Sequence, residues 1–199
     1  MNFDDPKFTE IHHRNVWGEW TLVFEGTALC GLKFQGSSSS KDGFFKPGAK
    51  PAANKIFASS LQACAYADSD GDVQFRGRTA LAYRKVVQQL LQYLSGKISE
   101  FTIPIRIYGT EFQKKVLEAT REIPYGKTCT YKQIAEKIGH PKAERAVGNV
   151  LHNNPLQVII PCHRVINARG TLSGYALGTS LKRRLLCMEG AIQNELELD

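Results

Sequence analysis

Thr130-Tyr131-Lys132-Gln133-Ile134-Ala135-Glu136-Lys137-Ile138-Gly139 is followed closely by Pro141-Lys142-Ala143-Glu144-Arg145-Ala146-Val147-Gly148-Asn149-Val150-Leu151. A threonine side chain accepts from the free amides of a first helical turn, and a glycine just past the last turn stops a helix. The first stretch therefore predicts a short helix from a Thr130 cap to a Gly139 stop. Proline suits the first helical position, so the second predicts a helix that begins at Pro141. Two short helices joined by a glycine turn describe a helix-turn-helix, with a plain helical hairpin as the bland alternative. Ala143, Ala146 and Gly148 leave one face of the second helix almost bare, with Arg145 as the long cation beside it. A bare face can approach a narrow groove closely, and Arg145 could then enter the base stack.

The charge balance fits that reading. Lys and Arg outnumber Asp and Glu by 26 to 19 over 199 residues, a net +7 that suits a partner made of phosphates. The excess is concentrated: between Thr102 and Glu189 there are 14 Lys/Arg and six Asp/Glu.

Downstream, the apolar run Leu156-Gln157-Val158-Ile159-Ile160 predicts a buried strand that ends at Pro161-Cys162-His163-Arg164-Val165. Pro161 lacks an N–H and stops a ladder, so Cys162 leaves regular pairing with a histidine beside it. That is how a thiolate nucleophile is presented with a base nearby. Cys30, Cys64, Cys129 and Cys187 read as small buried hydrophobes. Five widely spaced cysteines, an odd total with no CxxC pair, argue against a disulfide framework or a zinc knuckle. A site from His12, His13 and Cys30 is poorly supported by spacing, and neither a metal nor a cofactor is expected.

Upstream of Thr130, Gly109-Thr110-Glu111-Phe112-Gln113 places Thr110 and Gln113 three apart, as in a capping box. The helix that follows should bury Phe112, Val116, Ala119 and Ile123 and stop at Pro124-Tyr125-Gly126. Residues 101–107 alternate and should run extended. Thr79 to Leu94 has apolar positions at Leu81, Val86, Val87, Leu90, Leu91 and Leu94, which predicts an amphipathic helix ended by Gly96. Trp20 to Phe24 and Leu29 to Phe34, joined through Gly26, predict a hairpin. Residues 36–50, with four consecutive serines, read as a surface loop.

These pieces make an α+β chain (α/β in the broad sense): an N-terminal antiparallel-sheet and helix domain over 1–100, a mainly helical domain with a winged-helix-like helix-turn-helix over 101–190, and an acidic tail over 191–199. No apolar stretch nears the roughly 20 residues that cross a bilayer, and the acidic N-terminus is unlike a signal peptide, so an intracellular monomer without membrane contact is expected.

Glu189 ends a helix expected from Ser180, where its charge opposes the helix dipole, and Lys182, Arg183 and Arg184 sit unfavourably near the start. Such violations of a local rule are expected where function needs the charge.

Gly109-Thr110-Glu111-Phe112-Gln113, Ile123-Pro124-Tyr125-Gly126, Arg145-Ala146-Val147-Gly148, Asn153-Asn154-Pro155, Pro161-Cys162-His163-Arg164-Val165-Ile166, Gly174-Tyr175, Leu185-Leu186 and Glu189-Gly190 resemble the O6-alkylguanine-DNA alkyltransferases, also called methylated-DNA–protein-cysteine methyltransferases. The resemblance covers roughly 101–190. It implies a repair protein that flips an O6-alkylated guanine from double-stranded DNA and takes the alkyl group onto Cys162 once, without turnover. It further implies that His163 accepts the thiol proton through a water, that Glu189 orients and stabilises the imidazole, and that Asn154 holds the turn around Cys162. By the same resemblance Tyr131 donates to the guanine ring nitrogen, and Lys182 or amides near Tyr175 assist at the oxygen. Arg145 then fills the gap left by the flipped base, and Lys132 and the amides around Gln113 touch phosphate.

Glu144, beside Arg145, departs from the small neutral residue usual in the family, which suggests that it faces solvent. Ala176 and Leu177 also depart, so the size of alkyl group accepted stays open. The compartment would be the cytoplasm of a prokaryote or the nucleus of a eukaryote. Three alternatives are a non-catalytic lesion binder, which lacks the reactive cysteine, a helix-turn-helix regulator, which carries polar base-reading side chains, and a cysteine hydrolase, which needs an oxyanion-hole signature.

Overall fold

The computed structural model describes residues 8–15, 18–35, 78–172 and 175–192. The loop expected at 36–50 and the tail past 192 lie outside them. Three antiparallel strands, β1 (Phe8–Asn15), β2 (Gly18–Glu25) and β3 (Ala28–Gln35), form a sheet in the order β1-β2-β3. The β2–β3 hairpin is the one expected around Gly26. β1 was not expected, because His12 and His13 interrupt its apolar alternation, yet its Ile11 is buried opposite Leu22. His12 is exposed, whereas Cys30 is buried with Sγ donating to the Val23 carbonyl at 3.4 Å.

Helix α1 (Arg78–Leu94) buries Tyr83, Val86, Val87, Leu90, Tyr93 and Leu94. Leu81, expected on that face, is 65% exposed, and Tyr83 takes the buried place.

The free edge of β3 is covered by two later segments, which removes it as a pairing site. Leu29 N donates to Pro104 O at 2.9 Å and Arg106 N to Leu29 O at 2.9 Å. Further along, Leu32 N donates to Pro155 O at 2.7 Å and Gln157 N to Leu32 O at 3.2 Å. The sheet thus fixes both the extended 101–107 segment and the backbone just before Cys162.

Helix α2 (Glu111–Arg121) begins with the expected capping box: Gln113 N donates to Thr110 Oγ1 at 3.3 Å and Thr110 N to Gln113 Oε1 at 2.8 Å. Gly109 precedes it at φ 141°, and a Cβ there would stand 2.6 Å from Gln113 Oε1. Only glycine fits at that position. Helix α3 (Tyr131–Lys137) repeats the device with Thr130 and Gln133.

Helix α4 (Glu144–His152) starts three residues later than expected. Ala143 N donates to His140 O at 2.9 Å, which closes a turn with Pro141 at its second position. Proline is as well suited to that turn position as to a helix start, and here the turn wins. Helices α2, α3 and α4 pack together over Val116, Leu117, Ile134, Ala135, Val147 and Leu151.

Residues 156–160 are buried or nearly so, but they do not form the expected strand. Ile160 N donates to Leu156 O at 2.8 Å, and Val158 adopts φ 70°. A β-branched residue in the left-handed region is strained by roughly 1–3 kcal/mol, and such strain clusters at functional sites. A short 3-10 turn, Cys162–Arg164, follows, and then β5 (Val165–Ile166), which pairs in parallel with β4 (Cys129–Thr130). Helix α5 (Thr179–Met188) closes the described chain with Glu189 as its C-cap. No described helix is long and apolar enough to cross a membrane.

Candidate active site

Cys162 opens the 3-10 turn and is only 6% exposed. Asn154 Nδ2 donates to Cys162 Sγ at 3.1 Å and to Ile160 O at 2.9 Å, while Asn154 Oδ1 accepts from Leu156 N at 3.0 Å. One buried amide therefore ties the backbone at Leu156 and Ile160 to the sulfur. Burial pushes the Cys162 thiol up, and the Asn154 hydrogen bond and the Lys182 charge pull against it.

His163 is fully buried. Its Nε2 lies 2.6 Å from Glu189 Oε1. Burial would push the Glu189 carboxyl up, but donors from His163, Arg164 and Tyr93 outweigh it and hold the group at about 2. An ionised carboxylate only accepts, so Nε2 carries the proton and Nδ1 keeps the lone pair. Nδ1 is buried with no hydrogen-bond partner among the described residues. Burial lowers the affinity of His163 for a second proton, and Glu189 opposes that shift.

Arg164 completes the anchor. Its Nε donates to Glu189 Oε2 at 2.8 Å, Nη2 to Oε1 at 3.2 Å, and Nη1 to Ile123 O at 2.6 Å. Gly126 N adds a donor to Oε2 at 3.2 Å, and Gly126 at φ 71° would place a Cβ 2.9 Å from Glu189 O. These contacts give Pro124-Tyr125-Gly126 its purpose: glycine lets the backbone reach the carboxylate. The charge of Glu189 at a helix C-terminus, unfavourable in sequence, is answered by this buried shell.

The two-residue β4–β5 pairing sets Thr130 beside Ile166, so Tyr131, the first residue of α3, comes next to the cysteine turn. Tyr131, Tyr175 and Lys182 all sense the charge of the Cys162 sulfur. Tyr175 OH is buried without a partner among the described residues. Lys182 is fully buried, donates from Nζ to Val165 O at 2.6 Å, and is pulled down to about 8 by burial.

The other residues named from sequence lie on helices α2, α3 and α4. Arg145 is exposed in the first turn of α4, Ala143 is its half-buried N-cap, and Gly148 packs on Tyr131. Glu144 is exposed. Lys132 is exposed with Glu136 at 3.9 Å, and the Gln113 side-chain oxygen is engaged in the α2 cap. Arg164, Gly126 and Tyr93 belong to the site without having been singled out in the sequence: Arg164 stood within the run after Cys162, Gly126 in a helix stop, and Tyr93 within α1. The signal for Tyr93 was a tyrosine on an apolar stripe, since a buried phenol needs a partner.

The family described as "6-O-methylguanine DNA methyltransferase, DNA binding domain" matches residues 111–191. A methylated-DNA–protein-cysteine methyltransferase of Methanosarcina acetivorans is 50% identical over 109 residues, 55% of this chain and 70% of that protein. The chain belongs to the methylated-DNA–protein-cysteine methyltransferase family. A methyltransferase of the same name from Mycolicibacterium paratuberculosis is 46% identical over 108 residues, 54% of this chain and 66% of that one. Among solved structures, the chain is similar to Mycobacterium tuberculosis OGT in complex with DNA, with TM-score 0.64 and 33% identity over 92% of each chain. Within this methyltransferase family site, His163, Arg164, Gly126 and Glu189 fall inside the matched 111–191 segment and Tyr93 falls outside it.

Proposed function

We propose that this chain repairs DNA by direct reversal of damage, moving the alkyl group of O6-alkylguanine irreversibly onto Cys162. The observation that carries the reading is the Asn154–Cys162 contact beside a His163 whose Nε2 is tied to ionised Glu189 and whose Nδ1 is left as a base.

Displacement at an alkyl carbon needs a thiolate. His163 Nδ1 takes the thiol proton through a water, and Glu189 steadies the imidazolium, as a buried carboxylate does in a Ser-His-Asp arrangement. The sulfur then forms a bond to the alkyl carbon while the carbon–O6 bond breaks and its electron pair passes into the guanine. Tyr131, neutral because burial holds its proton, donates to the ring nitrogen, and Lys182 or the amides near Tyr175 assist at the oxygen. The product is a thioether with no displacement route, so each molecule acts once, and no cofactor enters the step.

The base must leave the stack to reach a sulfur this buried. Helix α4 supports extrusion through the minor groove: Ala143, Ala146 and Gly148 allow close approach, Arg145 fills the gap, and Lys132 and the amides around Gln113 meet phosphate. The protein works as a monomer in the compartment that holds the DNA, cytoplasm or nucleus. Its division near residue 100 separates a supporting half from the half that carries the chemistry.

Incubation with duplex carrying methyl-labelled O6-methylguanine is expected to move one label per protein, with the added mass at Cys162. Cys162→Ser is expected to bind the same duplex and transfer nothing. Transfer well beyond one label per protein, or an unmodified Cys162 peptide with the lesion still in place, would overturn the reading.

A further inference from the structure

Glu189 Oε1 serves more than His163. Tyr93, near the end of α1, donates its hydroxyl to the same oxygen and lies 3.3 Å from His163 Nε2. Arg164 Nη2 donates to the Tyr93 oxygen at 3.4 Å. The phenol is fully buried against Phe101, with ring centroids 4.9 Å apart, and meets Tyr125 edge-on at 6.0 Å. Packing therefore fixes where the hydroxyl points. Burial and the adjacent carboxylate keep it protonated well past the ordinary tyrosine range, so it remains a donor at every working pH.

We infer that Tyr93 is a positioning residue of the alkyl-transfer relay: its hydroxyl shares Glu189 Oε1 with His163 and so sets how strongly the carboxylate holds the imidazole. The inference rests on the alkyl-transfer reading. It assigns to α1, outside the 111–191 segment matched by the DNA-binding domain, a part in tuning the base.

The charge logic follows from the groups around the pair. Tyr93 comes from α1, Tyr125 from the loop after α2, Cys162 and Arg164 from the 3-10 turn, and Tyr175 and Lys182 from α5 and the loop before it. Arg164 neutralises Glu189, and Tyr93 draws off part of the remaining negative charge on Oε1. Removing the hydroxyl concentrates that charge on the His163 hydrogen bond. A charged imidazolium gains more from this than a neutral imidazole, so His163 becomes more basic.

Tyr93→Phe keeps the ring and deletes the hydroxyl, the donor to Glu189 Oε1 and the long-range acceptor of Arg164 Nη2. Two readouts are needed: the single-turnover rate of transfer from an O6-methylguanine duplex against pH, and the titration of the His163 ring nitrogens by NMR in the free protein. Both are expected to move upward by on the order of one pH unit, a loss of about tenfold in rate below the acid limb. A folded Tyr93→Phe with both profiles unchanged would overturn the inference. If that variant does not fold, tyrosine labelled at Cζ in the natural chain reports instead: the Tyr93 signal is expected to titrate in step with His163, and an indifferent signal would overturn the inference. Unchanged profiles in a protein that still transfers label leave alkyl transfer standing. A natural chain that transfers no label sinks alkyl transfer itself, while the NMR titrations still decide the Tyr93–His163 coupling.

Discussion

Asn154 Nδ2 lies 3.1 Å from Cys162 Sγ and 2.9 Å from the Ile160 carbonyl, so the group that holds the turn is the group that supports the thiolate. Structure and reactivity are coupled through one side chain.

Asn154→Ala removes both donors and strips Leu156 N of its acceptor. Buried polar groups left unsatisfied cost roughly 1–3 kcal/mol each, so a loss of about 3 kcal/mol is expected in urea unfolding. The Cys162 thiol also loses a hydrogen bond that favours its charged form. Its alkylation by iodoacetamide, followed at the Cys162 peptide, is expected to require higher pH than in the natural chain.

Glu189→Gln keeps the shape and removes the charge. The guanidinium of Arg164 is then buried without its counter-ion, a situation that costs roughly 3–5 kcal/mol. The pH dependence has a definite sign. The Glu189 carboxyl is held at about 2, below its ordinary 4.5, so its contribution is present above about 4.5 and is lost as pH falls towards 2. His163, its affinity for a proton lowered by burial, acts in the same direction below 6.5. Thermal unfolding between pH 2 and pH 6 is expected to show a steep loss in the natural chain and a flatter one in Glu189→Gln.

Gly148→Ala separates stability from function. A Cβ there would meet Tyr131 Cε1 at 3.7 Å, an ordinary contact, and alanine favours a helix over glycine by roughly 1 kcal/mol. The variant is expected to melt higher. If the bare face of α4 lies against DNA, the same variant binds duplex less tightly, as read by fluorescence anisotropy. Unimpaired binding would remove Gly148 from the interface.

The elements with local punctuation were legible in the chain. Thr110 with Gln113 and Thr130 with Gln133 announce two helix starts, and Gly26 the hairpin, because caps and turns act over a few residues. Pro141 was ambiguous for the same reason, since a local rule allowed both a helix start and a turn. The run over 156–160 was misread because apolar content reports burial and not backbone path.

The sequence by itself determined the chemistry available: a cysteine followed by a histidine after a proline, a basic second half, and a helix that carries Ala143, Ala146 and Gly148 around Arg145. The resemblance had paired Glu189 with His163, and the tertiary structure alone decided that Tyr93, Gly126 and Arg164 join them. Tyr93, Gly126, His163 and Arg164 come from positions up to 96 residues away and converge on one carboxylate. Local propensity carries no trace of that meeting. It arises because a buried charge must gather donors from whatever elements the core brings near it.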